Sequence, residues 1–186
     1  MGVEYAAWFR FVCPSVPDIG EEADTRKFHV GVLMFTANAP HSRPTVLIID
    51  DSREVQQYLR LVLETDNYRV EVADNGEKGV ERIRGGFRPE VILLDLHMPG
   101  MNGLQTLRCI RELQPELKVV MCSSEDDPEI VREATLLGAQ AYLVKPVRHL
   151  YLSAVLERCL AGELTPQEDR PSVVLRVPWN GADLAN

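Results

Sequence analysis

The chain contains the stretch VILLD at residues 91–95, in which four apolar residues run directly into an aspartate. Three further apolar runs also end at a polar residue that can contact phosphate or metal: TVLIIDD at 45–51, VVMCS at 119–123 and AYLVK at 141–145. Short runs rich in valine, isoleucine and leucine are typical of strands buried on both faces of a sheet. The four runs therefore predict buried strands that end at Asp50, Asp51, Asp95, Ser123 and Lys145.

Segments with helical periodicity separate these runs, and residues 69–73 form a further strand candidate. The predicted helices cover residues 53–65, 76–83, 103–114, 128–137 and 147–160. This alternation of five strands and five helices predicts an α/β fold, in which a parallel sheet carries helices on both faces. Ligands of such sheets bind at the carboxyl ends of the strands. The polar residues that end the runs are therefore expected to share one edge of the sheet.

The chain of 186 residues is long enough for one domain with a sizeable core. Residues 44–162 hold the whole alternating unit. Residues 1–43 show no stable hydrophobic period and are interpreted as a poorly ordered N-terminal extension. Residues 163–186 form a C-terminal tail, in which the apolar segment 173–177 could add an edge strand or bind a partner.

The composition excludes several classes of protein. The net charge of −8 disfavours direct binding to nucleic acid or to an anionic membrane. The four cysteines are scattered, which indicates reduced thiols rather than a disulfide framework or a zinc site. The apolar segment 30–35 is far too short to span a bilayer. We therefore expect a cytoplasmic protein.

The three aspartates define a specific chemistry. Carboxylates about 4 Å apart repel each other by roughly 4 kcal/mol at an effective dielectric near 20, so Asp50, Asp51 and Asp95 need a cation or a raised pKa. Hard oxygen ligands around an open position suit Mg²⁺. A carboxylate beside this ion can attack phosphorus and form an aspartyl phosphate. Lys145 and Ser123 would then contact the transferred oxygens.

Four motifs, in this order, resemble the response-regulator receiver domain of bacterial two-component signalling: IIDD ending at Asp51, LLDLHMPGMNG around Asp95, MCSS with Ser123 and AYLVKP with Lys145. The resemblance covers residues 44–160. It implies a doubly wound, flavodoxin-like sheet of five strands in the order 2-1-3-4-5. It also implies that Asp95 is the phosphoacceptor, and that Asp50, Asp51, Asp95 and the backbone carbonyl of His97 hold Mg²⁺.

The same resemblance implies a switch and a cis peptide bond. Ser123 and Tyr142 would form the switch pair, with the Ser123 hydroxyl moving towards the phosphoryl group and Tyr142 turning inward. This movement would change the surface made by the fourth helix, fifth strand and fifth helix. Ser124 offers a second hydroxyl beside Ser123, although the spacing favours Ser123. The Lys145–Pro146 peptide is expected to be cis.

We therefore expect a stand-alone receiver that accepts a phosphoryl group from a histidine kinase or phosphotransfer protein and signals by contact with a downstream protein. It would not be an enzyme beyond catalysing its own phosphorylation and dephosphorylation. One alternative is a receiver-like interaction module that works without phosphorylation. Another alternative is a Mg²⁺-dependent phosphatase with an aspartate nucleophile. Such haloacid-dehalogenase-like enzymes carry Asp-x-Asp after the first strand, whereas Asp50 and Asp51 are adjacent in this chain, which argues against this alternative.

Overall fold

The computed structural model describes residues 43–164 and the backbone of residues 173–175. Within these residues, the strands form one parallel sheet in the order β2-β1-β3-β4-β5-β6. The strands are β1 (Thr45–Ile49), β2 (Arg69–Ala73), β3 (Val91–Leu94), β4 (Lys118–Ser123), β5 (Ala141–Val144) and β6 (Val173–Leu175). The predicted order 2-1-3-4-5 is therefore confirmed, and a sixth strand extends the sheet beyond β5.

Helices cover both faces of the sheet, as predicted. In the described part of the chain they are α1 (Arg53–Thr65), α2 (Gly76–Arg84), α3 (Gly103–Leu113), α4 (Pro128–Leu136) and α5 (His149–Leu160). One apolar cluster lies beneath α1 and α5, and the other beneath α2, α3 and α4. In β1, Ile48 packs in the first cluster, while Leu47 and Ile49 pack in the second. Because both faces are buried, this strand lacks the polar alternation of a half-exposed one.

The loop after β3 is held against the start of α3. The Gly103 N–H donates to the Leu96 carbonyl at 2.8 Å. A β-carbon at Gly103 would lie 2.3 Å from the Asp95 carbonyl oxygen, so this close approach requires glycine. Asn102 and Gln105 form a capping box in which each side chain accepts the other's backbone N–H. These contacts position the peptide that carries Asp95.

Several predicted boundaries differ from the structure by one or two residues. The second helix ends one residue later than predicted, at Arg84, and the third and fourth helices end one residue earlier, at Leu113 and Leu136. The prediction that the last helix begins at Val147 is wrong, because Arg148 has extended backbone and α5 begins at His149. β4 is one residue longer at each end than its apolar run, since Lys118 and Ser123 pair through their backbones whatever their side chains. The segment 173–177, which could add an edge strand or bind a partner, forms a strand over Val173–Leu175, and residues 176–177 lie outside the described residues. The expected cis peptide at Lys145–Pro146 is present.

Residues 1–42 and most of the tail lie outside the described residues, so the predictions made for them are not addressed by the structure. Within residues 43–164, no helix combines the length and apolar character needed to cross a membrane. The described cysteines are free thiols, in keeping with their scattered spacing: Cys109, Cys122 and Cys159. Burial raises the pKa of the Cys122 thiol to about 12, so this group is protonated and unreactive at neutral pH.

Candidate functional site

Three aspartates meet at the carboxyl ends of β1 and β3, which are neighbours in the sheet. Asp50 and Asp51 follow β1, and Asp95 follows β3. One carboxylate oxygen from each residue lies within 4.8 Å of the other two. Asp50 and Asp95 are 1% and 6% exposed, whereas Asp51 is exposed to solvent. The structure thus brings together the three carboxylates that the sequence predicts to converge.

Backbone contacts hold two of these aspartates. The Asp95 N–H donates to the Ile49 carbonyl at 2.9 Å, which continues the pairing of β1 and β3 by one residue. The Asp50 carboxylate accepts the Ser52 N–H at 2.9 Å, and its carbonyl accepts the side-chain amide of Gln56. Sequence reasoning missed Gln56, because a single glutamine in the first turns of a helix has no distinguishing pattern. Its amide fixes the peptide that joins β1 to α1.

Lys145 connects the acidic cluster to β5. Its Nζ lies 2.8 Å from Asp50 Oδ2 and 3.0 Å from Asp95 Oδ1. Its backbone N–H donates to the Ser123 carbonyl at 2.8 Å, which holds the residue beside the end of β4. The structure therefore places Lys145 in the position that the sequence predicts, in contact with two aspartates from two different strand ends.

The electrostatics of the cluster favour a bound cation. Burial raises the pKa of the Asp95 carboxyl, and the ammonium of Lys145 opposes this effect only in part. Burial lowers the pKa of Lys145, but its hydrogen bond to Asp50 and the charges of Asp50 and Asp95 outweigh burial and leave that pKa raised. Three carboxylates and one ammonium carry two net negative charges when all are ionised. A divalent cation balances that charge, and all-oxygen ligands suit Mg²⁺.

Ser123, the last residue of β4, lies next to Tyr142, which is the second residue of the neighbouring strand β5. The buried Ser123 hydroxyl accepts the Glu125 N–H at 3.1 Å, whereas Ser124 is exposed. The Tyr142 hydroxyl donates to the Glu125 carbonyl at 2.7 Å and hydrogen-bonds with Ser123. Burial raises the pKa of Tyr142. Tyr142 is 1% exposed, so the structure shows its ring in the inward position, which the family resemblance implies for the phosphorylated form. The role of the pair as a switch stays a prediction.

His97 and Glu125 lie at the rim of the site, where Glu125 is partly buried. The His97 imidazole is exposed, and its Nε2 lies 3.9 Å from Glu125 Oε2. The predicted contact of the His97 backbone carbonyl with a metal stays a prediction. Because Glu125 also contacts Ser123 and Tyr142 through its backbone, this rim residue joins the mouth of the site to the candidate switch pair.

Comparison with known proteins agrees with the geometry. The family described as response regulator receiver domain matches residues 46–157. The chain is 32% identical over 102 residues to the chemotaxis protein CheY of Thermotoga maritima, covering 54% of this chain and 84% of that protein. A CheY-like receiver domain protein from Methanospirillum hungatei JF-1 has a solved structure with a TM-score of 0.62 and 28% identity, covering 66% of this chain and 97% of that chain.

A second solved structure contains ligands of the kind that the site suggests. It is the CheX–CheY–BeF3–Mg complex from Borrelia burgdorferi, with a TM-score of 0.59 and 25% identity, and it covers 61% of this chain and 86% of the matched chain. The family match spans more than half of this chain, and the fold agrees with it. The chain therefore belongs to the response regulator receiver domain family of two-component signalling.

Proposed function

We propose that this protein accepts a phosphoryl group on Asp95 and transmits the signal by phosphorylation-dependent contact with another protein. The observation that carries the proposal is the site itself, in which three carboxylate oxygens lie within 4.8 Å of one another and Lys145 contacts two of those carboxylates. The donor would be a histidine kinase or phosphotransfer protein in the cytoplasm. The receiver would be a phosphoacceptor that promotes its own phosphorylation and dephosphorylation, not an enzyme with a separate substrate.

Asp50, Asp51 and Asp95 would hold Mg²⁺, with the His97 carbonyl as a further ligand. The ion would neutralise charge on the phosphoryl oxygens. An Asp95 carboxylate oxygen forms the new bond to phosphorus as the bond between phosphorus and the donor atom breaks. Lys145 orients this carboxylate through its contact with Asp95 Oδ1, and its ammonium can then pair with an oxygen of the transferred group.

The output would run through the Ser123, Glu125 and Tyr142 contacts. A phosphoryl oxygen offers the Ser123 hydroxyl a charged acceptor, which is stronger than a neutral one. Moving that hydroxyl changes its contacts with the Glu125 N–H and the Tyr142 hydroxyl. Because Glu125 precedes α4 and Tyr142 lies in β5, the change would reach α4 and β5, whose outer edge pairs with β6.

A small phosphodonor tests the proposal directly. The full chain is incubated with acetyl phosphate and Mg²⁺, and its intact mass is measured. We expect a gain of one phosphoryl group, no gain without Mg²⁺, and no gain for Asp95→Asn. Asp74→Asn is a matched control, because Asp74 follows β2 at the same edge of the sheet but lies outside the acidic cluster.

The outcomes distinguish phosphorylation-dependent signalling from the alternative of a module that works without phosphorylation. If Asp95→Asn gains the phosphoryl group as well as the wild type does, then Asp95 is not the acceptor. If the wild type gains none while binding Mg²⁺ normally, the protein is better described as a receiver-like interaction module that works without phosphorylation.

A further inference from the structure

β6 pairs with β5 directly beside the candidate switch. The Cα partners are Ala141 with Val173, Tyr142 with Val174 and Leu143 with Leu175. On its other side β5 pairs with β4, where Ser123 is the partner of Val144. The strand that carries Tyr142 is therefore bonded on both sides by backbone, and it is an interior strand of the sheet that the structure describes.

β5 also determines where Lys145 lies. Lys145 follows the last residue of β5, and its N–H donates to the Ser123 carbonyl. Its ammonium contacts Asp50 and Asp95. A restraint on the β5 backbone thus reaches the acidic cluster within two residues of Leu143, the last residue that pairs with β6.

β6 is suited to reversible pairing. It has three residues, which is the lower limit of the usual length of a strand. Its attachment to the edge of β5 is the arrangement by which sheets bind extended peptides through main-chain hydrogen bonds. A segment held by so few hydrogen bonds can exchange between paired and unpaired states without unfolding the sheet.

We propose that residues 173–175 are an intramolecular strand ligand of the β5 edge, and that this pairing and a phosphoryl group at Asp95 stabilise each other. The inference rests on the proposed function, since it assumes that the phosphoryl group binds beside Lys145. Pairing with β6 restricts the β5 backbone and keeps Lys145 in place, so less conformational freedom is lost when its ammonium binds phosphoryl oxygens. By thermodynamic reciprocity, the bound group strengthens the pairing by the same factor.

The experiment uses the full chain and beryllofluoride with Mg²⁺ as the phosphoryl analogue. The variant V174P/L175P removes two successive backbone N–H groups from β6. Successive N–H groups of a strand point to opposite sides, so one of the two faces β5, and its loss removes a hydrogen bond of the pairing. The matched control V174I/L175I keeps both N–H groups and a high strand propensity. Titration calorimetry should show beryllofluoride binding at least about five-fold weaker in the proline variant, the lower end of typical coupling between two sites. The isoleucine control should bind as the wild type does.

Hydrogen exchange on the wild type tests the reciprocal effect without any substitution. Beryllofluoride with Mg²⁺ should slow exchange of those amides of residues 173–175 that face β5, by the same factor of about five or more. If the wild type binds beryllofluoride but exchange at 173–175 is unchanged, the coupling is refuted, even if the proline variant fails to fold. Equal beryllofluoride affinity in a folded proline variant would also overturn it. If the wild type does not bind beryllofluoride at all, the proposed function fails first, and this inference fails with it.

Discussion

Replacing Asp95 with asparagine should stabilise the protein against unfolding when no divalent cation is present. Asparagine keeps the size of the side chain but removes one of three neighbouring negative charges. Burial raises the pKa of the Asp95 carboxyl above its usual value of 3.8, which means that the folded state disfavours the ionised form. The ionised carboxylate therefore costs stability at neutral pH, and the substitution removes that cost.

The distances in the site give the size of the effect. At an effective dielectric of about 20, two charges at 4.8 Å, the upper limit of the separations in the cluster, repel by about 3.5 kcal/mol. Before solvent screening, Asp50 and Asp51 together therefore repel Asp95 by at least about 7 kcal/mol. At 3.0 Å, Lys145 attracts Asp95 by about 5.5 kcal/mol. Solvent screening at exposed Asp51 reduces the repulsion, and desolvation of Asp95 adds to the cost. We expect a net gain of about 1–2 kcal/mol for Asp95→Asn.

Urea and thermal unfolding in the presence of a chelator measure this gain. At pH 7 the midpoint temperature should rise by about 2–8 °C. A carboxyl whose folded-state pKa is raised costs stability fully above that pKa, and the cost disappears below the unfolded-state value. The gain should therefore shrink as the pH falls through the folded pKa and vanish below 3.8. Mg²⁺ should stabilise the wild type more than the variant, which reduces the difference between their free energies of unfolding.

The matched control is again Asp74→Asn, whose exposed carboxylate pairs with Lys78. Its effect should stay within about 0.5 kcal/mol. If Asp95→Asn is less stable than the wild type in chelator at pH 7, then the attraction of Lys145 outweighs the repulsion and the electrostatic account is wrong. A gain that persists unchanged below pH 3.8 would equally contradict the account.

Three further predictions concern other parts of the molecule. Lys145→Ala should fold and gain a phosphoryl group on Asp95 in Mg²⁺. Beryllofluoride should no longer alter hydrogen exchange in β5 and α4 of this variant, because the link from β5 to Asp50 and Asp95 is lost. An exchange response like that of the wild type would contradict this role of Lys145. Gly103→Ala should lower the free energy of unfolding by about 1–3 kcal/mol, since its β-carbon would overlap the Asp95 carbonyl oxygen; urea unfolding equal to that of the wild type would refute the steric argument. Deletion of residues 1–40 should preserve thermal stability and phosphorylation, because all of the site residues lie after them. A large loss of either property would make the extension part of the functional unit, and so would a change from dimer to monomer measured by light scattering.

Much of the site was predictable because its residues follow strands. Apolar runs are local patterns, and in a parallel sheet the carboxyl ends of neighbouring strands meet at one edge. The runs ending at Asp50 and Asp95 therefore predicted a meeting of carboxylates that the structure contains. All five strand positions in residues 43–164 agree with prediction for the same reason. The order 2-1-3-4-5 also agrees with prediction, but it was implied by the family resemblance and not by the apolar runs.

Other features depend on contacts between residues distant in the chain. The buried Ser123 and the exposed Ser124 are adjacent serines, and their opposite orientations follow from the pairing of β4 with β5. The inward position of Tyr142 depends on hydrogen bonds to Glu125 and Ser123. Neither contact leaves a periodic pattern in the sequence.

The sequence by itself determined the alternation of strands and helices and the residue types at the strand ends, because both arise from local hydrophobic periodicity. Only the tertiary structure decided that Lys145 contacts Asp50 and Asp95 together, and that residues 173–175 pair with β5 where the sequence allowed either an edge strand or a partner-binding segment. The physical reason is that the contacts of the Lys145 ammonium and the pairing of residues 173–175 both depend on partner groups that are distant in the chain. Their free energy comes from that placement and not from the local propensity of the residues involved.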